Sequence, residues 1–110
     1  MDDPIARPAR PAQLIEYQDG SVVSRVLLRT EGAVMTLFAF AEGQGLTEHS
    51  TPHEATVLVL EGAVRIRVAD VDHRVEEGEL LHLPASVPHA LHGDRRFKML
   101  LTLLKHPIEG

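Results

Sequence analysis

The sequence predicts an all-β fold, a small sandwich or barrel. Three observations lead there. Short apolar runs rich in β-branched residues recur along the chain, turn signals separate them every eight to twelve residues, and one run alternates cleanly between apolar and charged positions. No segment sustains an apolar stripe at i, i+3, i+4 with capping residues over three turns, so no long helix is expected.

Residues 1–12 (MDDPIARPARPA) hold three prolines and no hydrophobic period, and they read as an extended arm. Residues 13–110 read as a single domain. Val22–Arg29 is the first strand run, bounded by Asp19-Gly20 and Glu31-Gly32. Val34–Ala41 follows, with Val34, Thr36, Phe38 and Phe40 on one face and Met35, Leu37 and Ala39 on the other. Both faces are largely apolar, so this strand is expected to be covered on both sides. Gly43 and Gly45 close it. Thr56–Leu60 is a β-branched run ended by Glu61-Gly62. Ala63–Ala69 places Val64, Ile66 and Val68 inward and Arg65 and Arg67 outward. A turn around Asp70–Asp72 leads to Arg74–Glu76, and Glu77-Gly78 makes another turn. Leu80–Leu83 is a short buried run stopped by Pro84. Phe97–Leu104 ends the ordered pattern before Pro107; Leu100–Lys105 is compatible with a helix, but Phe97, Met99, Leu101 and Leu103 also alternate as in a strand.

Composition narrows the functions. At 110 residues the chain has room for one core. Sixteen acidic residues against eleven basic ones leave a formal charge of −5, which argues against general binding to a nucleic-acid backbone. Arg7 and Arg10 beside Asp2 and Asp3 make a poor basic tail. With no cysteine, a disulfide framework, a zinc finger, a thiol nucleophile and an iron–sulfur cluster are all excluded. The first thirty residues lack an apolar signal region and no eighteen apolar residues run together, so no membrane role is expected and a cytoplasmic location is the default.

Seven histidines stand out in so short a chain. Two segments matter. The first runs from Gly45 through His49, Thr51, Pro52, His53, Glu54 and Ala55 to Glu61-Gly62. The second runs from Gly78 through His82, Pro84, Ser86 and Pro88 to His89 and His92-Gly93. Together they resemble the two motifs of the cupin superfamily. Gly78, Pro84 and His89 fit the second motif without a gap, and Val57-Leu-Val-Leu-Glu61-Gly62 is similar to the strand and turn between the motifs. Thr36–Phe40 and Phe97–Thr102 are similar to a subgroup of small single-domain bacterial cupins. The resemblance spans about residues 13–105. It implies a double-stranded β-helix, or jelly-roll barrel, with an interior lined by Phe38, Phe40, His49, Thr51, Val57, Val59, His89 and Leu91.

The same resemblance places metal-ligand positions at His49, Thr51, Ala55 and His89. Two of the four thus lack a ligating side chain. On a continuous strand, residues 49, 51, 53 and 55 share a face, so His53 is the candidate third ligand beside His49 and His89. Such a set would suit one divalent transition metal, Zn, Fe, Ni or Mn. His82 has two readings, a cavity-lining residue beside His89 or a hydrogen-bonded core histidine. His92 has the opposite parity to His89 and is expected at the surface, as are His73 and His106. Neither Ser50 nor Ser86 lies in a nucleophile-elbow pattern. Glu42 and Glu76-Glu77 belong to turns.

Three functions are compatible with these residues. One is a barrel that binds a small ligand beside a degenerate metal site, using Phe38, Phe40, His49, Thr51, His53, His82 and His89. Another is a metal-dependent oxygenase or isomerase acting through His49, His53 and His89. The third is a structural or interaction protein working as a homodimer through Val22–Leu28 and Phe97–Leu104.

Overall fold

The structure, a computed structural model, describes residues 3–105. His106 lies outside them. The described residues form a two-layer barrel of antiparallel strands, in agreement with the jelly-roll expectation. The strands are β1 (Val22–Arg29), β2 (Ala33–Phe40), β3 (Gly45–His49), β4 (Glu54–Glu61), β5 (Ala63–Val68), β6 (Val71–Glu76), β7 (Leu80–Leu83), β8 (His89–His92) and β9 (Phe97–Leu104). One sheet has the order β1-β2-β9-β4-β7 and the other β3-β8-β5-β6. No helix among the described residues is long and apolar enough to cross a membrane.

The core sits between the sheets. Register places Phe40 opposite Phe97, Phe38 opposite Met99, and Val57 opposite Leu101, so these side chains share the inner face. Phe40 and Phe97 stack with ring centroids 4.4 Å apart and are wholly buried, together with Val57, Val59, Val64, Ile66 and Met99. Burial is uneven along the barrel. On β9 it falls from fully buried Phe97 and Met99 to half-buried Leu101 and Leu103, and on β2 from Phe40 to Phe38 and Thr36. One end of the barrel is plugged by aromatic and aliphatic side chains; toward the other, exposure rises at Thr36, Leu101 and Leu103, while Val34, Ala55 and Leu83 in the row of Leu103 stay buried.

The outer face of the larger sheet has a second core. Leu37 and Ala39 are fully buried there with Ile15 and Leu27, flanked by Ile5, Leu14, Tyr17, Leu60 and Leu100. Both faces of β2 are thus covered, as its two-sided apolar pattern requires. The cover is the N-terminal segment. The stretch expected as an extended arm makes a 3-10 turn at Pro11–Gln13, and Ile5 packs into this second cluster. Lys98 Nζ donates to Ala12 O at 2.7 Å and Arg25 donates to Leu14 O at 2.8 Å. The Tyr17 hydroxyl donates to Glu61 Oε2.

Two glycines are required by geometry. Gly62 turns β4 into β5 with φ +77°, a backbone region that disfavours side chains. Gly45 was expected to end the preceding strand. Instead it starts β3, where the backbone of β8 passes so close that a Cβ would lie 2.1 Å from Leu91 O.

Candidate functional site

β3 and β8 pair at Gly45 with His92, Leu46 with Leu91 and His49 with His89, with an irregularity between Leu46 and His49. That register sets the two histidines side by side. Their rings meet edge to face with centroids 4.4 Å apart. His89 also pairs with Val68 of β5, so it lies on the inner face. His89 is buried and His49 is exposed at the rim.

Both rings are oriented through the same atom. His49 Nδ1 donates to Thr47 O at 2.9 Å, and His89 Nδ1 donates to Val87 O at 3.3 Å. In the neutral tautomer this leaves each Nε2 with a bare lone pair. Burial is the main reason that His89 titrates below the usual imidazole range. The neighbouring His49 adds to the lowering, and the Val87 carbonyl partly opposes it. His89 is therefore a neutral acceptor at physiological pH.

The loops around the pair are tied together. Ser86, in a left-handed backbone conformation (φ 63°), donates its N–H to Thr51 O at 2.7 Å. Glu54 Oε1 accepts from Ala85 N at 3.1 Å and from His82 Nε2 at 2.7 Å. These contacts lock residues 84–88, which lead into His89, against residues 50–54, which follow His49.

The predicted site residues divide accordingly. His49 and His89 come together. His53 does not sit on a continuous strand with them, because the chain leaves β3 at His49 and re-enters regular pairing only at Glu54. The residues between form a loop in which His53 N donates to Thr51 Oγ1 at 3.3 Å. The period-two argument fails at that break. Among the described residues no three His, Asp or Glu side chains are grouped to hold a metal ion. Ala55 is buried and offers no donor, and Thr51 supplies only a neutral hydroxyl. A metal centre of the common three-ligand kind does not fit this donor set.

His82 is a further correction. It pairs with Thr56, between inward-facing Leu81 and Leu83, and so projects from the outer face of the larger sheet, where it is exposed. It holds Glu54 and lines no interior. Phe40 is corrected too: stacked on Phe97 with no exposed surface, it is core packing and not a ligand contact. Phe38, by contrast, is half-buried. His92 is at the surface, 3.4 Å from Asp94. His73, expected at the surface, is half-buried on edge strand β6, because it pairs with Ile66 on the core side. The reading from sequence missed Glu54 and Ser86 as supports of the site. An acid two residues before the β-branched run Thr56–Leu60 was the only available signal for Glu54.

A family model described as a cupin domain matches residues 36–103. A solved conserved protein of unknown function from Streptococcus pyogenes is 31% identical, with 94% of this chain and 90% of that chain covered and a TM-score of 0.87. A cupin superfamily protein from Desulfitobacterium hafniense is 32% identical, covers 94% of each chain and has a TM-score of 0.87. A cupin 2 conserved barrel domain protein from Leptotrichia buccalis is 40% identical, over 86% of this chain and 46% of that one, with a TM-score of 0.82. The search of curated proteins gave no match.

Proposed function

Because the chain belongs to the cupin family, we propose that its barrel binds a small organic ligand at the open end, gripped by His49 and His89 without a resident metal. The observation that carries this reading is the shared orientation of the two rings. Each Nδ1 is committed to a backbone carbonyl, so two Nε2 lone pairs are left to accept hydrogen bonds from ligand hydroxyl or amide groups. The half-buried inner-face residues Phe38, Leu101 and Leu103, with the Thr36 side chain, would supply the apolar contact, and a mostly apolar site with few polar anchors is the usual composition of a small-molecule pocket.

The test is metal analysis of protein purified without an affinity tag, before and after incubation with zinc, iron, nickel and manganese. The expected result is no stoichiometric metal. About one equivalent, lost in a His49→Ala/His89→Ala double variant, would overturn the reading and restore a metal-dependent enzyme. We also propose that the chain is a homodimer. Val22, Val26 and Leu28 are exposed on β1, an unpaired sheet edge eight residues long. Light scattering checks this, and a monomer across micromolar concentrations would refute it.

A further inference from the structure

An open groove of about 810 Å³ lies away from the histidine pair, on the outer face of the smaller sheet. The two positions share strands but not ends. On β5, Val68 pairs with His89, whereas Arg65 pairs with His92. The groove is bordered by β5, β6, the loop after β8 and the N-terminal Tyr17.

Its charge arrangement is unusual. Arg74, Arg65 and His92 stand directly opposite one another across β6, β5 and β8. Like charges in directly opposed positions destabilise a sheet unless something compensates them. The compensation here is partial. One oxygen, Asp94 Oδ1, serves both Arg65 at 3.0 Å and His92 at 3.4 Å, while Arg74 takes Glu76 at 3.2 Å. Glu61 is already engaged by the Tyr17 hydroxyl. Burial and that bond hold the phenol's proton firmly, with titration above the usual range.

Two further arginines complete the groove. The Arg96 guanidinium lies over the Tyr17 ring, 4.5 Å from its centroid. Stacking uses the face of the guanidinium and leaves its N–H edge available. Arg95 makes no hydrogen bond or ion pair among the described residues. Four of the eleven basic side chains thus border one groove together with four acids, three of which are already engaged by Tyr17, Arg65, His92 and Arg74, so Arg95 and Arg96 are the cations left for a ligand.

We propose that this groove is a second binding site, which takes a small organic anion through a carboxylate or phosphate group held by Arg95 and Arg96. Guanidinium forks match both groups in bidentate geometry. Four acids, Glu61, Glu76, Glu77 and Asp94, also line the groove and restrict the rest of the ligand. They repel a second anionic group and accept from hydroxyls, so the fitting class is a singly phosphorylated or carboxylated polyhydroxy compound.

The test follows arginine Nε–H resonances of labelled protein by NMR during titration with glucose 6-phosphate, gluconate, inorganic phosphate and glucose. Glucose 6-phosphate and gluconate separate the phosphate from the carboxylate source. The expected result is a saturable shift at Arg95 and Arg96 with at least one of the organic anions, tighter than with inorganic phosphate and absent with glucose. Arg95→Gln breaks no contact in the structure, so its fold is retained, and it should weaken binding about tenfold or more. His49→Ala should leave that affinity unchanged, which separates this site from the barrel end. No shift with either organic anion at millimolar concentration, equal binding of glucose, or undiminished affinity in Arg95→Gln would each overturn the proposal.

Discussion

Gly45→Ala tests how the fold builds the histidine pair. A Cβ at this position would lie 2.1 Å from Leu91 O and 3.1 Å from His92 Cα. Ordinary carbon contacts need roughly 3.5 Å, so β3 must move away from β8 by about 1 Å or more. The obstacle is backbone, which cannot rotate aside as a side chain would. Only three residue pairs join these strands, and the last of them is His49 with His89. Overpacking of this kind costs about 1–3 kcal/mol. The lost flexibility of the unfolded chain returns roughly 0.5 kcal/mol, leaving a net destabilisation near 1.5 kcal/mol. At about 2.1 cal/mol/K of unfolding entropy per residue, 110 residues convert each kcal/mol into roughly 4 °C. The Tm should fall by about 6 °C, read by calorimetry. Proton NMR should show loss of the cross-peak between the His49 and His89 rings. Gly32→Ala is the control, since a Cβ there meets nothing within 4 Å. If Gly45→Ala melts within about 1 °C of the parent and keeps the ring contact, the account of β3–β8 as the device that positions the pair is wrong.

Three other outcomes follow from the same geometry. Thr51→His tests the ligand position that the family resemblance gives to residue 51: it should give stoichiometric zinc binding by calorimetric titration, and failure to bind would place Thr51, which lies in the loop after β3, outside the site. His89 titrates below the usual imidazole range in the folded state, so the unfolded chain takes up the proton first on acidification. Its contribution is fully present above about pH 6.5 and is lost as pH falls through the folded value; His89→Asn should flatten that part of the denaturant-stability profile. Tyr17→Phe removes the donor to the Glu61 carboxylate and should cost about 1–2 kcal/mol in urea unfolding, whereas Glu61→Gln, which keeps an acceptor, should cost less.

Much of the fold was legible because burial imposes its period on the sequence. Val64, Ile66 and Val68 alternate with arginines since one face of β5 meets the core and the other meets water, and β2 is apolar throughout since it has two cores to fill. β3 and β8 were not legible as strands. They are five and four residues long, and Thr47, Glu48, His49 and His92 are exposed, so neither shows a usable apolar run. Their pairing is a long-range fact, set by the closeness of backbones at Gly45. The N-terminal cover was obscured for a similar reason: Ile5, Ile15 and Tyr17 are too widely spaced to mark any regular element.

The histidines illustrate which kind of sequence signal survives folding. Parity assigned His53 to the face of His49 and failed, because it presumes an unbroken strand, and the chain bends between His49 and Glu54. The frame of glycines and proline succeeded, because those residues fix where the chain turns whatever the intervening side chains do. Gly62 takes its left-handed turn at one end of β4, and Gly78 and Pro84 bracket β7. Counting from such points pairs His49 with His89, forty residues apart in sequence, and their rings are in contact. On the same counting the other two ligand positions carry Thr51 and Ala55. What the frame does not encode is the Arg95–Arg96 groove. Its borders come from the outer faces of strands and from loops, where no packing constraint writes a period into the sequence.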